Sequence, residues 1–325
     1  MSACRLLADI GGTNARFALQ ARGRDPADVE VLACRDYPTV DAAIAAYLGR
    51  AAARGHDVDG LRHAALAIAN PVEGDMVAMT NHDWRFSSAA LRGALGLETL
   101  LVVNDFAALA LALPHLGDDG RVRIGGADAA AAPGRPLGLI GPGTGLGVSG
   151  VVPVPGSADG AATRWIALAG EGGHASFAPA TSQERRILDA LAERHGHVSN
   201  ERLLSGPGLE AIHRVLAGEV LDAAAITARA AAGTSAACRA TVEVFCAVLG
   251  SVAGNVALTL GATGGMYVGG GIVPRLGPLF HASAFRARFE GKGRLQPWLA
   301  RIPTWLVTAP YPALRGVAAL LDAAT

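Results

Sequence analysis

Charged and aromatic side chains are scarce in this chain, and neither sign of charge prevails. Of its 325 residues, 17% are charged and 5% are aromatic, and the 28 Lys and Arg residues equal the 28 Asp and Glu residues in number. A protein without net charge has no overall field that attracts nucleic acid or an anionic membrane. The composition therefore predicts neither as a partner, and any binding of phosphate groups must be local.

Cysteine is also rare, and its spacing argues against two kinds of site. The four cysteines form no Cys-x-x-Cys pair and lie at Cys4, Cys34, Cys238 and Cys246. This pattern is typical of reduced thiols in a cytosolic protein and argues against a zinc site or a disulfide framework. The N-terminal MSACRLLADI lacks the apolar run of a signal peptide. A cytoplasmic location is therefore predicted.

One charge-free segment must be weighed as a possible membrane span. No charged residue occurs between Phe245 and Val273, a span long enough to cross a bilayer. Polar residues and glycines interrupt it, however, at Ser251, Asn255, Thr259, Gly261, Thr263, Gly264 and Gly265. We therefore expect a buried core helix over 235–260 followed by a strand over 265–269, and no membrane span.

The remainder of the chain alternates strand-like and helix-like segments, which predicts an α/β protein. Two segments, LLADIGGTNARFALQ and PLGLIGPGTGLGVSGVVPV, each place a glycine-rich turn with Gly-Thr between two β-type runs. This repetition suggests a duplicated architecture with a cleft between its halves. Residues 117–136 are polar and rich in Gly, Pro and Ala, and we expect a loop there.

The two glycine turns are candidate phosphate-binding loops. In the first, Gly11, Gly12 and Thr13 can offer N–H and hydroxyl donors to an anion, and Asp9 can hold a hydrated cation. The second contains Gly143, Thr144 and Gly145. It is neither a dinucleotide fingerprint nor a GxxxxGK[ST] P-loop, because its glycines alternate and a β-type run follows. An ordinary hairpin turn remains the alternative for each loop.

Asn104 and Asp105 interrupt the sequence where an apolar strand ends and an apolar helix begins. Open α/β sheets place their ligands at the carboxyl ends of their strands. A carboxylate at that position can accept a hydroxyl proton during phosphoryl transfer. The alternative is that Asp105 is simply the N-cap of the helix starting at Phe106.

Three further groups are weaker candidates. Glu171, His174 and Glu201 could accept hydrogen bonds from sugar hydroxyls, although Glu201 could equally belong to the first turn of a helix capped by Ser199. The glycines Gly269, Gly270 and Gly271 follow a strand and would let an adenine or ribose approach the backbone. A turn before a helix explains them equally well.

Taken together, the motifs resemble those of bacterial glucokinases of the non-ROK branch, in the hexokinase–actin ATPase superfamily. The matching stretches, in family order from about residue 6 to 276, are LLADIGGTNARFAL, VAMTNHDW, VVNDFAALA, GPGTGLGV, GEGGHASFAP, GHVSNERLLSGPGL and VGGGIVPRL. Two positions depart from the family pattern, Pro142 and Ser176.

The resemblance implies a two-domain actin-like ATPase (ribonuclease H-like) fold with an interdomain cleft. Residues 1–115, completed by the C-terminal helix from about 306 to 325, would form the small domain, and 116–305 the large domain. It also implies ATP-dependent phosphorylation of glucose to glucose 6-phosphate with Mg²⁺, by a cytoplasmic homodimer.

Site roles follow from the same resemblance. Asp105 would be the catalytic base, and Asn104, Glu171, His174 and Glu201 would bind the sugar. The nucleotide would contact Asp9, Gly11, Gly12, Thr13, Gly143, Thr144, Gly145, Gly269, Gly270 and Gly271. A kinase for another hexose, one using polyphosphate, or a non-catalytic sugar sensor of the same fold remain alternatives.

Overall fold

A computed structural model describes residues 4–79, 82–126, 134–156 and 163–325. Thr80 and Asn81 of the VAMTNHDW stretch, and 127–133 of the predicted loop, lie outside the described residues. The strands are β1 (Cys4–Ile10), β2 (Asn14–Ala21), β3 (Ala27–Ala33), β4 (His63–Ile68), β5 (Met76–Ala78), β6 (Arg85–Ser87), β7 (Thr99–Asn104), β8 (Arg121–Gly125), β9 (Leu137–Pro142), β10 (Leu146–Val154), β11 (Arg164–Ala167), β12 (Gly265–Val268) and β13 (Thr304–Val307). The helices are α1 (Val40–Ala53), α2 (Ser88–Ala94), α3 (Asp105–Ala112), α4 (Ser182–His195), α5 (Gly206–Ala217), α6 (Ala223–Ala231), α7 (Ala236–Leu260), α8 (Val273–Leu276), α9 (Pro278–His281), α10 (Phe285–Glu290), α11 (Gln296–Ala300) and α12 (Pro312–Ala324).

The chain forms two compact units. The first comprises Met1–Leu116, Arg164–Ala169 and Pro310–Thr325, and the second comprises Gly117–Thr163 and Gly170–Ala309. The predicted limits of the two domains, at 115 and at about 306, and the predicted cleft stay predictions.

In the first unit, a five-stranded sheet runs in the order β3-β2-β1-β4-β7. The strands β1, β4 and β7 are parallel, whereas β2 pairs with β1 and β3 in antiparallel fashion. Successive residues of β1 point to opposite faces, so Leu6 packs in the core beside α1 and Leu7 in the core beside α3 and α12. Both faces are therefore buried, which accounts for the continuous apolar runs of β1 and β4.

Helices α3 and α12 of this unit pack at very short range. Gly316 of α12 lies against the backbone of Ala108, so closely that a Cβ at this position would collide with the Ala108 carbonyl. The alanines of α3 leave room for this approach, and their burial fixes the helix that begins at Asp105.

In the second unit, five strands run in the order β10-β9-β12-β13-β8. The strands β9, β12 and β13 are parallel to one another, whereas β10 is antiparallel to β9 and β8 is antiparallel to β13. The helix α7 packs against β9 and α10, and its apolar side chains form much of this unit's core.

The long charge-free segment forms α7 and β12, as expected. By length and composition α7 could cross a membrane, but 72% of its most apolar stretch is buried inside the protein. The prediction of a core helix followed by a strand is confirmed.

The loop predicted over 117–136 is wrong for residues 121–125, which form β8. This strand pairs with β13, and Arg121 lies 4.5 Å above the ring of Trp305 and donates a hydrogen bond to Tyr267. The partners of β8 are 140 or more positions away in sequence. Local composition therefore gave no sign of the strand.

Candidate functional site

Asn104 and Asp105 lie at the junction of β7 and α3 in the first unit. Asn104, not Asp105, is the N-cap of α3, because its Oδ1 accepts hydrogen bonds from the backbone N–H groups of Phe106 (2.9 Å) and Ala107 (3.2 Å). Its Nδ2 donates to the Asn70 carbonyl (3.2 Å) and to Asp105 Oδ1 (3.1 Å). The capping alternative for Asp105 is therefore wrong.

The Asp105 carboxylate is fixed on one side only. Its Oδ1 accepts from the Phe106 N–H (2.8 Å) and from Asn104, while its Oδ2 has no hydrogen bond among the described residues. Burial, with a smaller contribution from repulsion by Asp9, raises the pKa of Asp105 from 3.8 to about 6 despite the lowering effect of the hydrogen bond from the Phe106 N–H. A carboxyl with this pKa is suited to act as a general base near neutral pH.

The first glycine turn joins β1 to β2 next to Asp9. Its backbone closes by a hydrogen bond from Gly11 N to Asn14 O (3.0 Å). Gly11 and Gly12 are not among the described residues with positive φ, and a Cβ on Gly11 would meet only Asn14 O, at 3.6 Å. The fold itself thus does not require glycine at position 11, which is consistent with a site where a ligand approaches the backbone.

Cys34 holds this turn by two hydrogen bonds, a contact that sequence reasoning missed. Its backbone N–H donates to the Thr13 carbonyl (2.9 Å), and its thiol donates to the Gly11 carbonyl (3.4 Å). Cys34 is fully buried. No local motif signals this role, because the residue is 21 positions beyond Thr13.

Asp9 and Asp105 are partly buried carboxylates near enough to repel each other, an arrangement that suits a divalent cation. The Asp9 side chain is 18% exposed, and its one ion pair among the described residues is with Arg16 (3.2 Å). Burial raises the pKa of Asp9 despite this arginine. No group of three or more metal-binding side chains occurs in the described residues. However, Mg²⁺ bound with a nucleotide needs only one or two carboxylates besides phosphates and water, so the residues present fit this ion.

The second glycine loop joins β9 to β10 in the second unit. It closes by a hydrogen bond from Gly143 N to Gly145 O (2.8 Å). Gly143 has open space where a Cβ would lie, whereas a Cβ on Gly145 would lie 2.5 Å from Glu201 Oε2. A side chain at 145 would therefore displace the Glu201 carboxylate, whereas the space beside Gly143 is open.

The Gly269–Gly271 segment follows β12 and lies against the end of β9. Gly269 N donates to Ile140 O (2.8 Å), and Ile272 N donates to Pro142 O (3.4 Å). Gly270 has a φ of +79°, and a Cβ there would collide with the Pro142 carbonyl, so the turn needs glycine. The parallel pairing of β9 with β12 brings this turn to the same sheet edge as the second loop.

Glu171 precedes a 3₁₀ turn at Gly172–His174 that packs on β10, and His174 is the last residue of that turn. Gly173 lies so close to Leu146 that a Cβ would collide with its carbonyl, which ties this turn to the second loop. The side chains of Glu171 and His174 are exposed and make no hydrogen bond or ion pair among the described residues. They are free to bind a polar ligand.

A cavity of about 280 Å³ opens beside Thr144. Its lining includes Glu201, Ser205 and three arginines, Arg194, Arg202 and Arg214. These arginines are exposed and form no ion pair within the described parts of the chain. The cavity also lies at the N-terminus of α5, which is capped by Ser205. Both features favour an anionic ligand.

The structure thus sorts the predicted residues into two groups. The first unit holds Asp9, Gly11, Gly12, Thr13, Asn104 and Asp105. The second holds Glu171, His174, Glu201 and the glycines of the second loop and of the 269–271 turn. An α/β architecture with a glycine hairpin in each unit defines the two-domain actin-like ATPase (ribonuclease H-like) fold.

Comparison with known proteins identifies the family. The glucokinase family model matches residues 6–324. A glucokinase from Chromobacterium violaceum is 53% identical over 98% of this chain and 89% of its own length. A solved structure of a glucokinase from an Antarctic psychrotroph superposes with a TM-score of 0.87 at 35% identity, and the match covers 99% of this chain and 100% of that chain. The chain belongs to the glucokinase family.

Some relatives are longer proteins. The bifunctional protein glk of Paraburkholderia xenovorans is 52% identical over 98% of this chain, but the match covers 48% of that protein. The chain spans about half the length of these curated relatives.

Proposed function

We propose that this chain transfers the terminal phosphoryl group of ATP to the 6-hydroxyl of glucose, giving glucose 6-phosphate. The observation that carries the proposal is the Asp105 carboxylate: one oxygen is anchored at the start of α3, the other has no hydrogen bond among the described residues, and the pKa is raised to about 6. Phosphoryl transfer passes through a loose transition state. The base therefore takes the hydroxyl proton late, which a carboxylate of this pKa does readily at neutral pH.

Sugar recognition is assigned to Asn104, Glu171, His174 and Glu201. The side chains of Glu171 and His174, which are exposed and have no partner in the described parts of the chain, support this assignment, because hydroxyls need such acceptors and donors. Asn104 uses both side-chain atoms to hold α3 and Asp105. Its contact to the sugar would be added to this structural role.

The nucleotide is assigned to the glycine segments. Backbone N–H groups of Gly11–Thr13 and of Gly143–Gly145 would hold phosphates, and Gly269–Gly271 would lie against the adenosine. A Cβ at position 11 or 143 would not clash with the surrounding protein, so glycine at these positions is consistent with close approach by a ligand. Asp9 would hold Mg²⁺ through its water shell, and the ion would neutralise charge on the phosphates.

The proposal also includes the domain limits, the cellular location and the oligomeric state. The division into domains at 1–115 with about 306–325, and at 116–305, is proposed on the family resemblance. A cytoplasmic homodimer is proposed on the same ground, and sedimentation of the purified protein would test the dimer.

The decisive experiment is a coupled ADP-release assay with Mg·ATP. Glucose, mannose, fructose and N-acetylglucosamine would be compared by kcat/KM, and polyphosphate would be tried as donor in a glucose 6-phosphate assay. We expect glucose with ATP to give the highest value. A higher value for another hexose would reassign the substrate, and sugar binding without turnover of any hexose would favour a sensor.

A further inference from the structure

Glu201 holds the second glycine loop at one end. It lies in a 3₁₀ turn at Asn200–Arg202, ahead of α5, and its Oε2 accepts a hydrogen bond from the backbone N–H of Leu146 (2.9 Å). The same oxygen occupies the space beside Gly145 where a Cβ would lie. The carboxylate is therefore pressed against the backbone of the loop.

The same segment holds the other end of the loop. Gly206 N donates to the Gly143 carbonyl (2.9 Å). Ser205 links the two contacts, since its Oγ donates to the Glu201 carbonyl (2.9 Å) and accepts from Gly208 N (3.1 Å). Residues 201–206 thus form a brace that binds the loop at Gly143 and at Leu146.

We propose that Glu201 is a positioning residue for the nucleotide, in addition to its assignment as a sugar ligand. The inference rests on the proposed function, since it takes the loop at 143–145 to bind ATP phosphates. A glycine-rich loop loses much conformational entropy when it is ordered. By fixing the loop beforehand, the Glu201 hydrogen bond lowers that loss when the nucleotide binds.

The proposal separates Glu201 from Glu171, the other glutamate assigned to the sugar. Glu171 has an exposed side chain with no partner among the residues described, so its removal should leave the loop intact. A glutamine at 201 keeps an oxygen that can accept the Leu146 N–H, whereas an alanine does not.

The test is the Kd of Mg·AMPPNP, measured calorimetrically on the full chain without glucose. We expect Glu201→Ala to weaken binding on the order of tenfold, the range expected when a hydrogen bond to a charged group is lost. Glu171→Ala should bind like the wild type, and Glu201→Gln, which keeps a neutral hydrogen bond, should bind more tightly than Glu201→Ala. In steady-state kinetics, Glu201→Gln should raise the KM for glucose more than the KM for ATP.

A second measurement uses the space that Glu201 occupies. Gly145→Ala would push the carboxylate away, and should weaken nucleotide binding in the wild type but add little in the Glu201→Ala background. Equal losses in both backgrounds would contradict the brace.

Nucleotide affinity unchanged in a folded Glu201→Ala variant would overturn the proposal and leave Glu201 as a sugar ligand only. Failure of the wild type to bind Mg·AMPPNP would instead count against the proposed function. If Glu201→Ala does not fold, the Glu201→Gln variant decides, because loss of nucleotide binding there would contradict the proposal.

Discussion

Replacing Asp105 by asparagine should destroy activity and at the same time stabilise the protein. The substitution keeps the size of the side chain and an oxygen that can accept the Phe106 N–H, but it removes the charge and the base. We expect kcat to fall by roughly 10²–10⁴-fold, the range associated with loss of a general base. Binding of glucose should change far less.

The gain in stability follows from the raised pKa. Burial and the charge of Asp9 raise the pKa of Asp105 from 3.8 to about 6, so the folded protein binds this proton more tightly than the unfolded chain does. The stabilisation of the folded protein by this tighter proton binding is fully present below about pH 4, and it is lost as the pH rises through about 6. A shift of about 2 units corresponds to about 3 kcal/mol. The asparagine variant never carries the charge, so it should exceed the wild type by about 3 kcal/mol above pH 7 and match it near pH 4.

Thermal unfolding of both proteins between pH 4 and 8 measures this difference. Above pH 7 the midpoint of the variant should be higher by on the order of 5–10 °C. Asp41→Asn is a matched control, because Asp41 is an exposed residue in the first turn of α1, and its effect should stay within about 0.5 kcal/mol. The electrostatic argument would be refuted if the difference in stability between the inactive variant and the wild type were the same at pH 8 as at pH 4. Near-normal kcat would refute the assignment of the base.

Three further predictions follow from single contacts. The acid side of the pH profile of kcat/KM for glucose should have an apparent pKa near 6. Asp9→Asn should move this pKa to lower pH, because the charge of Asp9 raises the pKa of Asp105. An unchanged apparent pKa would contradict the electrostatic interaction between the two carboxylates. Glu171→Gln should mainly raise the KM for glucose, since this exposed side chain has no structural contact in the described residues to lose; an unchanged KM would remove it from the sugar site. Gly316→Ala should destabilise the protein by about 1–3 kcal/mol through collision with Ala108, while Gly49→Ala on the exposed face of α1 should stabilise it by about 0.5–1 kcal/mol; thermal unfolding of both variants checks the sign of each effect.

The sequence was informative where the chemistry is local. Glycine-rich turns between β-type runs predicted both hairpins, and polar residues at the end of an apolar run placed Asn104 and Asp105 at a strand–helix junction. The charge-free segment at 245–273 was correctly divided into a core helix and a strand, because its glycines and polar residues break the pattern of a membrane span. Each of these features depends on residues that are close together in the sequence, so the local pattern is enough to predict it.

Tertiary structure decided the features that join distant segments. Asn104 caps the helix while its amide donates to the carbonyl of Asn70, 34 positions away, and Asp105 keeps one oxygen without a hydrogen bond among the described residues. The raised pKa of Asp105 depends on burial and on Asp9. Glu201 accepts a hydrogen bond from the Leu146 N–H across 55 positions of sequence, and its carboxylate fills the space beside Gly145. Hydrogen bonds and desolvation depend on distance in space, so the motifs alone could predict the reacting groups but not the contacts that position them or set their charge.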